Sequence, residues 1–446
     1  MSKFATTNRE FLSRRPQYVQ AASELRGYIE TAVDWEATHG LLFRAPPSDA
    51  TASTDWLQAA LVPAPIALAP SPVPRSEFDR VVALQPALNQ LFDRISRDHD
   101  FLVNTLQSLG TADEFTSRVF EMYLKQTALG AIKPAVIGIH RSDYLIHAPE
   151  SEPNSKPRAK QVEFNTIAAS FASLSAVVGD FHRFMLARTG YKDLLKPGRI
   201  DADQLPPNES LTSIGDGIAA GFALYGQPNG DQEVAVAYYR SGYAPTDFPT
   251  EKEWDGRWLV EKSRAISVPN LAYHLAGCKK IQQVLAQPGV VERFIDDQET
   301  AQQIRECFVG LYPLDSSPDG QKAFEAALNN PHNYVVKPQR EGGGYNSYGD
   351  DIPKLLGSLS EEERKGYILM DLIRAPGFNS MLLRNGELFS AEVVSELGIY
   401  GIWVSDAQGN VVVNRHGGHL LRTKASDIRE GGVAAGFAVI DSPLLI

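Results

Sequence analysis

The densest run of chemistry-bearing residues is KPQREGGGYNSYG, Lys337 to Gly349. Lys337 can neutralise phosphate, and Glu341 can hold a divalent cation. Gly342, Gly343 and Gly344 remove side chains where a backbone must close over something large. A triple glycine alone is equally a flexible surface turn, but here it is flanked by Lys337, Arg340, Glu341 and Asn346. A second cluster lies in KQVEFNTI, Lys160 to Ile167, which alternates as a strand. That alternation puts Glu163 and Asn165 on one side, and Val162 and Phe164 on the other. A carboxylate and an amide oxygen are hard ligands suited to Mg²⁺. Without further context the same pattern is a solvated strand face. Lys279-Lys280 reads by default as a solvated helix surface. In HLLRTKASDIREGGVAAG, His419 to Gly436, an extended backbone puts Arg422 and Lys424 on one face. There GGVAAG would bring bare N–H groups to a carboxylate, or form a plain loop.

Other chemistries find no support. No GxxxxGK[ST] P-loop occurs, and no GxSxG elbow. GDGIAAG, 215 to 221, resembles a dinucleotide fingerprint, but its last glycine is one place late and no clear strand precedes it. It reads as a helix whose small residues permit close packing. His416 and His419 have no third ligand at metal-site spacing. Cys278 has no assignable base and reads as a packing residue.

The elements that must position these residues change character along the chain. Residues 20–40 have helical spacing, and 45–75 form a Pro-rich irregular crossing. Ser76 to Leu109 carries an apolar stripe of Phe78, Val81, Leu84, Leu88 and Leu91, with Pro86 placed to kink it. Phe115 to Leu129 is predicted helical. PAVIGIHRSDYLIH and KQVEFNTI predict two strands of one sheet. Ala168 to Arg188, Ile214 to Tyr225, Trp254 to Ile266 and Ala276 to Leu285 read as helices, Val234 to Tyr239 as a buried strand, and Lys192 to Ser210 as a loop. From Tyr334 the runs YVVKP, GYILMDLI, the segment at Leu382 and Leu383, AEVVSELGIYGIWVSD and NVVVNR predict strands, the last two split by a turn at 407–410.

The chain has 446 residues, about three domain-lengths. With 43 basic against 54 acidic residues the net charge is -11, which argues against a general nucleic-acid or anionic-membrane binder. Cys278 and Cys307 make no disulfide framework, which favours a reducing compartment. MSKFATTNREFLSRRP lacks the apolar core of a secretory signal; its arginines keep an organelle address as the weaker alternative. Leu61 to Pro74 carries too many prolines to span a bilayer as a regular helix.

The motifs KPQREGGGYNSYG, ILMDLI, SELGIYG, HLLRTK and GGVAAGFAVID stand in this order over Lys337 to Asp441. With HGLLFR, HRSDYLI, QVEFNTIAASF, YYRSGY and LAGCKKIQQ upstream, they resemble eukaryotic-type glutathione synthetase over nearly the whole chain. The resemblance implies an α/β (α+β) ATP-grasp fold with an N-terminal helical section, 1–130. A central α/β part, 131–210, a reduced substrate-binding lobe, 211–285, and a C-terminal ATP-grasp part, 286–446, would follow. It implies an ATP-dependent carboxylate–amine ligase that joins γ-glutamylcysteine to glycine through an acyl phosphate. It further implies Mg²⁺, a homodimer and a cytoplasmic location.

On this resemblance Glu163, Asn165 and Glu341 are metal ligands, and Arg141, Lys337, Glu341 and Arg422 serve catalysis. Glu163, Lys279, Lys337, Gly342, Gly343, Gly344, Asn346, Tyr348, Met370, Asp371, Ile373, Glu396 and Lys424 contact ATP. Arg141, Ser170, Arg240, Tyr243, Arg422, Val433 and Ala434 hold substrate. The chain departs from the family at three places. Asp371 stands for a common Glu. Ala168 stands for a serine, which removes one hydroxyl contact. QPNGDQEV, 227 to 234, replaces a much longer segment that carries dipeptide contacts. The short segment and Ala168 keep one alternative in view, a ligase for a different carboxylate and amine; a second, a nucleotide-binding paralogue without turnover, is opposed by the retained Lys337, Glu341, Glu163 and Asn165.

Overall fold

The computed structural model describes residues 25–44, 60–110, 112–130, 133–148, 156–191, 200–226, 233–341, 343–428, 432–433, 436 and 438–446. Its backbone is a seven-stranded sheet. The order is Phe378–Arg384, Ile66–Ala67, Val439–Asp441, Val411–Ala425, Glu387–Asp406, Ala135–His147, Arg158–Asn165. The centre is the long hairpin 387–425, which contains the strands predicted at 391–406 and 410–415 and extends beyond both. Its turn forms because the Asp406 carboxylate accepts the Gln408 and Asn410 backbone N–H groups. The predicted pair at 135–165 lies antiparallel to it and to each other. A register shift between Asp143 and Tyr144 admits one extra residue on the facing strand. It corrects the simple alternation predicted for 162–165. Phe164 stacks on Phe92 in the main core, whereas Val162 packs on the opposite side, near Val335 and Met370.

The helix Arg75–Arg97 covers one face of this sheet, burying Phe78, Val81, Leu84, Leu88 and Leu91 as their helical spacing requires. It continues through Pro86 and ends at Asp98, which caps the next helix, His99–Leu106, by accepting the Phe101 N–H. Ser210–Tyr225 packs on the other face. At Gly217 and Gly221 an added Cβ would meet Ile402 at 2.6 Å and Ile137 at 2.2 Å. Gly217 and Gly221 are thus close-packing residues, whereas a Cβ at Gly215 would meet nothing. The helix predicted over 254–266 runs Glu251–Lys262, and Ile266 begins the strand Ile266–Val268. The strand predicted over 234–239 is Val236–Tyr238, half-buried rather than buried.

A second sheet stands beside the first, in the order Ser347–Tyr348, Tyr334–Pro338, Tyr367–Asp371, Leu311–Pro313. All its pairings are antiparallel. One face packs Val336 and Leu369 against Leu314, Ala323, Ala327, Ile352 and Leu356. The other carries Val335, Met370 and Ile373 towards Leu145 and Val162 of the first sheet. The space between the two sheets is the main cleft. Among the described residues, no helix is long and apolar enough to cross a membrane.

Candidate active site

The cleft has a volume of about 1200 Å³. Period-two alternation turns one face of four neighbouring strands into it: Arg141, Glu163 and Asn165, Glu396, and Arg422 with Lys424. The smaller sheet and its hinge supply an apolar slot of Val335, Met370, Ile373 and Tyr348, closed from below by Leu145 and Val162. Asn346 and Gly343 of the glycine loop also line the cleft, as does Val433. A flat aromatic group at the apolar end would leave its polar tail over the carboxylates and lysines.

At the charged end, Lys279 joins the two acids expected to converge. Its Nζ lies 2.9 Å from Glu163 Oε2 and 2.8 Å from Glu341 Oε1. Lys279 is 3% exposed, and the two carboxylates are 22% and 20% exposed. The solvated-helix reading of this lysine is therefore corrected. It opens the helix Lys279–Leu285, whose first turn is pressed against both sheets. Lys280 is also largely buried, with its ammonium 3.7 Å from Asp315. Lys337 donates to the Val162 carbonyl at 2.8 Å.

Burial works against charge throughout this group. At Glu163 it is outweighed by the Lys279 and Lys337 ammonium groups, which hold the carboxyl well below its ordinary range. At Glu341 burial prevails, reinforced by the nearby Glu163 carboxylate and opposed by Lys279, and the carboxyl rises. Burial, together with Lys279, pulls Lys337 down. Among the described residues no group of three or more His, Cys, Asp or Glu is arranged for a metal. The donor set is two carboxylates and one carboxamide. Asn165 gives its NH₂ to Asp143 Oδ2 at 3.0 Å and to the Arg141 carbonyl at 3.3 Å, which makes Oδ1 its acceptor end. Hard oxygens of this kind suit a small divalent cation, and the single Lys279 ammonium offsets only one of the two carboxylate charges.

The arginines form a second, buried group. Arg141 makes a two-pronged pair with Asp143, at 2.6 and 2.7 Å. Arg422 reaches Asp143 at 2.9 Å and Glu396 at 2.5 Å. Burial raises the Glu396 carboxyl, against the pull of Arg422. At the rim, Arg240 does not line the cleft itself. It donates to Ser170 Oγ at 2.8 Å and the Ala169 carbonyl at 3.1 Å, and so braces the loop that does. In that loop Ala168 and Phe171 have φ of 51° and 73°. Tyr243 lines the cleft beside it.

Most residues expected at the site thus share one cleft. Gly344 stands on the loop but outside the lining, and Gly342 and Ala434 lie outside the described residues. Asp371 lines the cleft, but its carboxylate accepts the Gly310 N–H at 3.0 Å and its own N–H is given to the Gly310 carbonyl. The side chain therefore shapes the hinge. Cys278 is a packing residue, its thiol pushed up to about 12 by burial. The residue missed was Asp143, which is fully buried and accepts hydrogen bonds from three site side chains. Its signal was available: it stands two places after Arg141 in HRSDYLI, on the same strand face.

Residues 22–445 match the family model of the eukaryotic glutathione synthase ATP-binding domain. A glutathione synthetase of Dictyostelium discoideum is 35% identical over 482 aligned positions, covering 95% of this chain and 99% of that protein. The human glutathione synthetase is 34% identical over 95% of this chain and 98% of its own. The chloroplastic enzyme of Arabidopsis thaliana is 35% identical over 94% and 85%. An alignment of 482 positions exceeds this 446-residue chain, so it contains gaps on this chain's side, in keeping with a shortened segment. Most of the 227–234 connection lies outside the described residues. The solved structure of a glutathione synthetase-like effector from Globodera pallida, in its apo form, has a TM-score of 0.71. It covers 97% of this chain and 99% of that one at 21% identity, a likeness of fold.

Proposed function

This chain belongs to the eukaryotic glutathione synthetase family, and from that premise we propose how its cleft carries out ATP-dependent glutathione synthesis. The single observation that carries the assignment is the meeting of Glu163 and Glu341 at Lys279, beside Lys337 and beneath the glycine loop.

A carboxylate does not acylate an amine near neutral pH, because its leaving group is oxide. Phosphoryl transfer from ATP to the cysteinyl carboxylate of γ-glutamylcysteine gives an acyl phosphate and ADP. The glycine amine attacks the acyl carbon, phosphate departs, and the amine loses a proton. The chain's work is positioning and charge screening. The slot of Val335, Met370 and Ile373 takes the adenine. Lys279 and Lys337 face the phosphates. Arg141 and Arg422 face the reacting carboxylate, with Ser170 and Tyr243 on the dipeptide side, Arg240 bracing the Ser170 loop, and Val433 towards glycine. Mg²⁺ held by Glu163, Asn165 and Glu341 would neutralise the transferring phosphoryl group. The glycine loop and the 432–433 segment exclude water that would hydrolyse the acyl phosphate.

The proposal extends to a cytoplasmic homodimer. Its support is the family resemblance and, for a reducing compartment, two free cysteines that lie away from open solvent. The decisive experiment is phosphate release from ATP with γ-glutamylcysteine, with glycine and with both. Release that depends on the pair supports the reading, and indifference to the pair refutes it. Sedimentation of the purified protein checks the dimer.

A further inference from the structure

Asp143 does not itself line the cleft, yet Arg141, Arg422 and Asn165, which do, are all tied to it. It is fully buried and sits on the strand Ala135–His147 opposite Glu163, while Arg141 sits opposite Asn165. Its Oδ1 takes the Arg141 Nε–H at 2.6 Å. Its Oδ2 takes Arg141 Nη2 at 2.7 Å, Arg422 Nη2 at 2.9 Å and Asn165 Nδ2 at 3.0 Å. These donors come from three strands. Across the sheet, room for the pair is left by a glycine. Gly398 is the register partner of Asp143, and a Cβ there would stand 2.8 Å from both Asp143 Oδ1 and Arg141 Cδ.

We propose that Asp143 is the positioning residue of the reaction: one buried carboxylate sets the direction of both arginines and the orientation of the Asn165 amide. This rests on the ligase reading above. Each donor has an alternative pose that the carboxylate excludes. The Asn165 amide, turned over, would point NH₂ where an oxygen is needed. Arg422, released, would pair wholly with Glu396, already 2.5 Å away. Arg141 would be a buried cation left with the Ser170 carbonyl, at 3.5 Å, as its hydrogen-bond partner among the described residues. Both oxygens of the carboxylate accept, one bond at Oδ1 and three at Oδ2, which an amide of the same shape cannot reproduce because one of its ends donates. Asp143 touches no reacting atom, so its effect is carried by the groups that do.

The test compares wild type, Asp143→Asn and Gly398→Ala, each full-length. Turnover of the wild type with γ-glutamylcysteine and glycine is measured first, and its absence refutes the ligase reading rather than this inference. Calorimetry then follows dipeptide binding, Mn²⁺ binding and ATP binding in chelator. For Asp143→Asn we expect dipeptide and Mn²⁺ each to bind about tenfold or more weakly, with kcat down about a hundredfold. Chelated ATP, which depends on the apolar slot, should change by less than about twofold. Gly398→Ala, which displaces the pair without removing a polar group, should show the same pattern at smaller size, and carries the test if Asp143→Asn does not fold. A merely structural carboxylate would lower Tm but leave the constants of the folded fraction alone. Dipeptide and Mn²⁺ constants at wild-type level in the folded variants overturn the proposal, as does an equal loss of all three ligands.

Discussion

Among the described residues, Lys279 is the positive charge in direct contact with both Glu163 and Glu341, and replacing it by methionine removes that charge while keeping most of the stem's volume. The two carboxylate oxygens lie at most about 5.7 Å apart, since each touches the same Nζ at 2.9 and 2.8 Å, and at an effective dielectric of about 20 they repel by roughly 3 kcal/mol. That is about 2 pKa units of upward pressure on one of them. In the wild type the Glu163 carboxyl is held below its unfolded value, so its contribution to stability is present above about pH 4.5 and is lost as the pH falls further. In the wild type Glu341 already titrates above its unfolded value and so already makes stability fall as the pH rises from about 4.5, while the Glu163 contribution is flat there. In Lys279→Met the pair loses the cation that opposes the rise, so the fall in stability between about pH 4.5 and 7 should steepen. The assay is thermal unfolding between pH 4 and 8, with and without 10 mM MgCl₂, conditions chosen to bracket ordinary carboxylate pKa values of about 4. Divalent cation should restore part of the lost stability at pH 7 by replacing the missing charge. If the variant keeps the wild-type pH slope and ignores divalent cation, the two acids are not balanced by this lysine and the proposed convergence is wrong.

Glu341→Gln should lose most turnover in the coupled phosphate-release assay; activity within about twofold of wild type would refute its placement among the metal ligands. Arg240→Ala should raise KM for the dipeptide about tenfold with a smaller change in kcat, because it removes the brace on Ser170 and Ala169. An unchanged KM would show that the dipeptide sits elsewhere. Glu36 is fully buried with no hydrogen-bond partner for either carboxylate oxygen among the described residues, and burial pushes its carboxyl up to about 8. Because the folded state then holds the proton longer than the unfolded one, stability falls from about pH 4.5 towards pH 8, by up to about 1.4 kcal/mol per pH unit. Glu36→Gln should flatten that slope and raise Tm at pH 8, as read by calorimetric melting; a slope left unchanged would assign the pH dependence to other groups.

Features that depend on neighbours in the chain could be read directly from the residues. The apolar stripe of 78–91 buries as its spacing requires, the 387–425 hairpin turns where Asp406 and Asn410 permit it, and the glycines of 215–221 lie inside a helix. The family itself was legible in ordered motifs, above all KPQREGGG. Tertiary structure alone decided the rest. Val162 faces the cleft because a partner strand imposes a bulge, which no alternation within 160–167 can encode. Lys279 is buried between two acids that approach from other elements, although its local sequence is that of a solvated helix. Asp371 binds Gly310 across strand ends, and Asp143 gathers donors from three strands. The physical reason is common to all four. Periodicity records which face a residue presents, whereas the charges it meets there are set by sheet register and by the burial that makes each unpaired charge costly.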